Sequence, residues 1–275
     1  MRPAVLLRSH LLHRARSPFQ LQRTFCAAAP PGQKPPNPNP PELECPSSSS
    51  QSQSPDRPLP AQPQLVYPPS PSAHHSDLRS FELYLSQNNL DVSKTVHVGT
   101  HYEYTTISSL SRLGFSLHRV GGRSDCGIDL LGIWSLPPLS DFPPIRVIVQ
   151  CKVRQKPGPQ HIRELEGAFI GAPAGWRGKG VVGLLMTDRV ATKGIRDALG
   201  RSKWPMVFVS CSKQGRITQF LWNARAEEGG LGSGGLGVVM RHEEGKGEDG
   251  KEVVLTWKGK RIEFQEKEGK GADQR

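Results

Sequence analysis

From residue 77 onward the apolar positions follow two rhythms, one of 3.6 residues and one of two. Leu78, Phe81, Tyr84 and Leu85 recur at helical spacing and predict a leading helix over Asp77 to Leu90. Thr100 to Phe115 sets Ile107, Leu110 and Leu113 on one side and predicts a second helix, with Gly114 as its C-terminal stop. The period then shortens to two. GIDLLGIW and IRVIVQCK read as strands joined across a Pro-broken loop from Ser135 to Pro144. Val147 to Lys152 and Val181 to Met186 are buried-type strands rich in branched residues, with a crossover helix over Pro159 to Ile170 between them. A helix over Ala191 to Leu199 and a strand over Met206 to Ser210 continue the alternation. Beyond Ile217 to Trp222 lies a glycine-rich loop from Gly229 to Gly237; Val253 to Trp257 and Arg261 to Phe264 then predict a hairpin turning at Lys258-Gly259. The class expected is α/β: a mixed central sheet flanked by helices, with a C-terminal β-hairpin extension.

Polar residues inside the period-2 segments point to chemistry. Strict alternation puts Asp129 on a face with Leu131 and Ile133, and Ile128 with Leu130 and Gly132. In the next strand Gln150 and Lys152 share a face opposite Val149, Cys151 and Val153. If the two strands pair as a hairpin, Asp129 lies across from Gln150 and Lys152. A carboxylate and an amide oxygen are hard ligands suited to Mg²⁺, which keeps several waters and binds phosphate; a lysine beside them can orient water or offset charge on a phosphoryl oxygen. Glu103 sits four residues before Ile107 and seven before Leu110, on the stripe that turns toward the sheet. A carboxylate on that stripe needs a partner, for which the sequence offers a metal or Lys152.

A glutamate in a first helix, an aspartate in GIDL and a QCK strand end resemble the PD-(D/E)xK superfamily of restriction-endonuclease-like nucleases, and the QxK form resembles its Mrr-like branch. GPQHIRELEGAF, VVGLLMTD and ATKGIRDAL are similar to the helix, strand and helix that follow the lysine strand there. With the leader described below, the pattern is most similar to the fungal mitochondrial family called required for respiratory growth protein seven. The resemblance covers Val96 to Asn223 and implies a restriction-endonuclease-like core. It implies Asp129 as principal metal ligand, Glu103 in support, Gln150 where an acid usually stands, Lys152 as catalytic lysine, and Mg²⁺ or Mn²⁺ as cofactor. The Cys151 carbonyl would also face the metal, and Asp125 is an auxiliary carboxylate or a turn former. Neutral Gln150 removes one negative charge and should loosen the metal.

Composition bounds this reading. The first forty-one residues hold no Asp or Glu but six cations, with Leu6, Leu7, Leu11 and Leu12 at helical spacing between the arginines. That is the pattern of a mitochondrial transit peptide, expected to be removed near residue 25 on the way to the matrix. Fifteen prolines between Pro30 and Pro71 predict an extended tether over 26–73. A domain over 74–225 and an extension over 226–275 follow. The domain holds 20 Lys and Arg against 11 Asp and Glu, a surplus of +9; the extension holds 9 against 11, or −2. A basic domain suits a polyanion, and the resemblance implies DNA in preference to RNA. No apolar run approaches the eighteen or so residues of a membrane helix, so no membrane partner is expected. The five cysteines form no CxxC pair, and no GxGxxG opens a helix and no Walker lysine is present, which argues against structural zinc, dinucleotide and P-loop chemistry. Among the histidines, His101 is a candidate accessory. Two functional classes remain: a metal-dependent nuclease, as a homodimer if both strands are cut, or a nucleic-acid-binding or assembly protein that keeps the fold without catalysis.

Overall fold

A computed structural model describes residues 65–122, 126–137, 144–153, 156–231, 235–242 and 250–264. The expected transit peptide, most of the tether, Arg123, Asp125 and Arg154 lie outside the described residues. Residues 58–275 form one compact unit, described here.

Helix α1 spans Leu78–Gln87 and is started by Asp77, whose carboxylate accepts from Ser80 N–H while the Ser80 side chain accepts from the Asp77 N–H. This reciprocal cap satisfies two amides that no helical carbonyl can reach. Helix α2 spans Thr95–Ser111. It begins five residues earlier than the expected Thr100, through Val96, Val98 and Gly99, residues of weak helix propensity that mask the start in sequence. Packing makes up the difference. Phe81 and Leu85 of α1 meet Tyr104, with Ile107 alongside, in a small cluster that fixes α1 on α2. Gly114 adopts φ +84° in the turn after α2, where a Cβ would lie 2.4 Å from the Ser135 carbonyl oxygen.

The central sheet has six strands in chain order: β1 (Phe115–Arg119), β2 (Leu130–Trp134), β3 (Ile145–Lys152), β4 (Val181–Thr187), β5 (Met206–Cys211) and β6 (Ile217–Trp222). β1, β2 and β3 run antiparallel in succession, β3, β4 and β5 are parallel, and β6 returns antiparallel to β5. The parallel pairs are made by crossovers through α3 (Gln160–Gly171) and α4 (Lys193–Arg201). Such crossovers share one hand, which places both helices on one face. There Ile162, Leu165 and Phe169 of α3 and Ile195 and Leu199 of α4 cover Leu131, Ile148, Leu185 and Phe208.

The other face packs under α2, through Leu130, Val147, Val149, Val182, Leu184, Val207 and Val209. The C-terminal region shares this core: Val253, Leu255 and Ile262 are buried within it. It forms a three-stranded antiparallel sheet, β7 (Leu236–His242), β8 (Lys251–Trp257) and β9 (Lys260–Arg261), in place of a bare hairpin. Lys258 and Gly259 turn between the last two strands with φ of 47° and 79°, as expected of a two-residue hairpin turn. The mixed α/β sheet flanked by helices is therefore present. The described end of the expected tether also packs on the domain, where Trp176 Nε1 donates to the Val66 carbonyl (3.1 Å) and Tyr67 sits against the Trp176 and His118 rings.

Candidate catalytic site

The antiparallel register of β2 and β3 sets Leu130 opposite Val149, so Asp129, one step earlier, comes to the end of β3. Its N–H donates to the Val149 carbonyl (2.9 Å) and its Oδ2 accepts from the Cys151 N–H (2.7 Å). Both Val120 and Gly121 donate to the Asp129 carbonyl, a doubled contact that ends regular pairing with β1. Strict alternation fails here, which corrects the expected parity. Ile128 packs with Leu131 on the α3 face, while Leu130 faces α2. Gly121 is required by this closeness, because a Cβ there would lie 3.0 Å from Asp129 Cα and 3.1 Å from its Oδ1.

Gln150 and Lys152 share a face as expected, and it is the face covered by α3. Gln150 is 2% exposed, and its Oε1 has no hydrogen-bond partner among the described residues. Its Nε2 lies close against Gly127, where a Cβ would be 2.9 Å away. Lys152 Nζ pairs with Glu164 Oε2 of α3 at 3.2 Å, and the same oxygen meets His161 Nδ1 at 3.1 Å. Burial pushes the Glu164 carboxyl up, but hydrogen bonds from His161 and Lys152 and the lysine's charge outweigh it and hold the group below its ordinary value.

Glu103 is paired with Arg119 of β1, not with Lys152, which corrects the partner expected from sequence. Arg119 also donates to Thr100 Oγ1 (3.3 Å), and its guanidinium lies 5.8 Å from the Tyr104 ring centre. The charge of Glu103 is nonetheless felt at the site: burial first, then Asp129, then Glu103 push the Cys151 thiol well above its usual value. The four predicted residues thus gather around the end of β3, with Glu103 on the α2 side and the Gln150 and Lys152 side chains on the α3 side.

Among the described residues, no group of three or more His, Cys, Asp or Glu side chains is arranged to hold a metal ion. The oxygen donors that do fit a hard cation are the Asp129 carboxylate and the buried Gln150 amide oxygen. The Cys151 carbonyl points to the same side of the strand as its N–H, toward Asp129. Sequence reasoning missed Glu164, and it missed Arg119 as the partner of Glu103. Glu164 stands two residues after Ile162 and one before Leu165 on α3, so its position beside the lysine becomes apparent only when the crossover is placed.

Several basic residues that add to the domain's charge are occupied internally. Arg112 pairs with Glu252 (3.0 Å), Lys193 with Asp197 (2.9 Å), and Arg146 and Arg177 donate to main-chain carbonyls. His101 pairs with Glu82 of α1 (3.4 Å). Cys126, Cys151 and Cys211 are free thiols. No described helix is long and apolar enough to cross a membrane.

The family described as required for respiratory growth protein 7 matches residues 94–142 and 138–236, a range that includes all four site positions. An uncharacterised mitochondrial protein of Schizosaccharomyces pombe is 32% identical over 159 residues, covering 56% of this chain and 62% of that protein. The match thus spans less than two thirds of that relative's length. Required for respiratory growth protein 7, mitochondrial, of Saccharomyces cerevisiae is 25% identical over 171 residues, covering 47% and 71%. Its namesake in Zygosaccharomyces rouxii is 26% identical over 174 residues, covering 49% and 72%. No solved structure matches the chain. The Saccharomyces cerevisiae and Zygosaccharomyces rouxii relatives are named as mitochondrial proteins required for respiratory growth, and this chain belongs to the required for respiratory growth protein 7 family.

Proposed function

We propose that the chain is a Mg²⁺- or Mn²⁺-dependent nuclease that hydrolyses phosphodiester bonds in DNA, in preference to RNA. It would act in the mitochondrial matrix, supporting genome maintenance and respiratory growth. The observation that carries this reading is the buried Gln150 Oε1, unpartnered among the described residues, beside a carboxylate at the same strand end. Leaving a buried acceptor unsatisfied costs about 1–3 kcal/mol, and a cation held there would offset that. The order of Glu103, Asp129 and Gln150-x-Lys152 resembles the PD-(D/E)xK pattern and supports the same reading.

Asp129, the Gln150 amide oxygen and the Cys151 carbonyl would hold the ion, which when bound supplies Lewis acidity toward a phosphate oxygen and a more acidic water. The chain's own residues do the rest. The Cys151 N–H fixes the Asp129 carboxylate, and Glu164 holds the Lys152 ammonium near the strand end until a phosphate competes for it. Lys152 then donates to a phosphoryl oxygen or orients the attacking water. Glu103, committed to Arg119, acts through its charge near Cys151 and not as a direct ligand. A homodimer would bring two such sites to the two strands of a duplex.

One observation favours a second reading. Lys152 is already paired with Glu164, as it would be in a nucleic-acid-binding or assembly protein without catalysis. Cleavage of labelled linear, branched and single-stranded DNA by the full chain in Mg²⁺ or Mn²⁺ separates the two. Metal-dependent cutting, lost in both Asp129→Ala and Lys152→Ala, is the result expected of the nuclease. Binding without cutting, unchanged by either substitution, overturns it in favour of the second reading.

A further inference from the structure

Helices α1 and α2 meet beside a cleft of about 800 Å³, and three side chains of metal-ligating type line it: Glu82 of α1, and His97 and His101 of α2. The two histidines stand four residues apart, about one helical turn, a spacing at which two imidazoles of one helix can share an ion. Hydrogen bonds around each ring fix where the lone pair of its neutral form lies. His97 Nδ1 meets the Asp91 carbonyl at 2.6 Å; a carbonyl only accepts, so Nδ1 carries the proton and Nε2 is bare. The Thr105 hydroxyl donates its one hydrogen to the His101 carbonyl (2.9 Å), so toward His101 Nδ1, at 3.3 Å, it can only accept. His101 is therefore also a donor at Nδ1, and its bare Nε2 faces Glu82 Oε1 at 3.4 Å.

Two atoms that present lone pairs to each other need a cation between them. A proton would draw them to the roughly 2.7–2.9 Å of a charge-assisted hydrogen bond. A tetrahedral Zn²⁺ with arms of about 2.0–2.1 Å holds neighbouring ligands about 3.3–3.4 Å apart, which matches the observed separation. The Nδ1 contacts also match, since a ligating histidine commonly donates its other N–H to a nearby oxygen that orients the ring.

We infer that α1 and α2 together bind a divalent transition ion, Zn²⁺, through Glu82 and His101, with His97 as third ligand and water in the open position. Among the described residues no three such donors already converge, so two corners of the site are in place and the ion draws in the third. Imidazole suits zinc, whereas Mg²⁺ prefers oxygen ligands, so this site is separate from the ion proposed at Asp129. Lys213 lines the same cleft, but it is exposed and its charge is screened by water. An ion here would cross-link α1 to α2, adding to the cluster of Phe81, Leu85 and Tyr104 that packs them together.

The test uses the full chain, stripped with EDTA and desalted, then titrated with Zn²⁺ by calorimetry and with Co²⁺ by visible absorption, with excess MgCl₂ throughout. Glu82→Gln, His97→Gln and His101→Gln change partly or fully exposed side chains, and a thermal melt of each without zinc checks that it folds. The expected result is a zinc equivalent that raises the melting temperature of the wild type and gives intense, tetrahedral-type cobalt bands. Loss of an orienting partner alone costs roughly 10–100-fold in metal affinity, so each ligand variant should lose at least about tenfold. Asp129→Ala should bind like the wild type. No zinc bound by the wild type would mean that a proton alone bridges His101 and Glu82, and overturns the inference. Wild-type affinity in any of the three folded variants, or binding lost in Asp129→Ala instead, overturns it as well.

Discussion

Replacing Gln150 with methionine tests the central observation through stability alone. Gln150 is 2% exposed, and its Oε1 has no hydrogen-bond partner among the described residues. By mutational experience an unpaired buried amide oxygen costs about 1–3 kcal/mol. Methionine has similar length and flexibility and carries no such group, while losing whatever Nε2 gains costs about 1 kcal/mol. The balance is a stabilisation of about 1 kcal/mol, or roughly 2–4 °C in melting temperature for a domain of this size. The second arm adds metal. A cation present at ten times its dissociation constant stabilises the folded form by about 1.4 kcal/mol, and only if its ligands are intact. Urea unfolding of both proteins, with and without MgCl₂, reads both numbers. The wild type should start lower and gain with Mg²⁺; Gln150→Met should start higher and gain little. A variant destabilised by more than about 1 kcal/mol at unchanged m-value would refute the reasoning, since Oε1 would then be well satisfied. An equal Mg²⁺ gain in both proteins would show that Gln150 does not hold the ion.

Three further outcomes follow from contacts around the same strand ends. Glu103→Gln leaves the Arg119 guanidinium, only 14% exposed, without its carboxylate and should destabilise by about 3 kcal/mol in urea; adding Arg119→Met should recover more than half. Glu164 titrates below its ordinary 4.5, so its stabilisation is present above that pH and is lost as pH falls through the lower folded value. Glu164→Gln should accordingly melt below the wild type at neutral pH and converge with it in acid, which melting temperatures across about pH 3 to 7 would show. Gly132→Ala would place a Cβ 2.0 Å from the Ser116 carbonyl oxygen and 2.8 Å from Leu117 Cα, an overlap with backbone that should destabilise by about 3 kcal/mol or abolish soluble expression.

The inner strands were legible because burial on both faces selects branched apolar runs. IRVIVQCK and VVGLLMT occupy β3 and β4, and the expected Met206 to Ser210 falls within β5. The edge strands β1 and β7 were not. Phe115–Arg119 is five residues with His118 and Arg119 at its end, paired only to β2, and Leu236–His242 of β7 has its last four residues exposed. Neither carries the burial signal from which a strand is read. Of the site, the juxtaposition of Asp129 with the end of β3 could be read from a short hairpin register. The partners of Glu103 and Lys152 could not, because each comes from an element whose face is decided by the path of the chain.

That path also explains why the predicted residues meet at a strand end and not on one face. Antiparallel β1, β2 and β3 follow α2, while the crossovers into β4 and β5 carry α3 and α4 to the opposite side. Any residue of α2 is therefore separated by the sheet from Gln150 and Lys152, whose face belongs to α3. A carboxylate from α2 can influence the lysine only around the end of β3, where regular pairing with β2 has stopped. Cys151 occupies that end: its N–H holds Asp129, and its thiol is raised by burial and by both Asp129 and Glu103. Chemistry shared between the two helices must pass over this one residue.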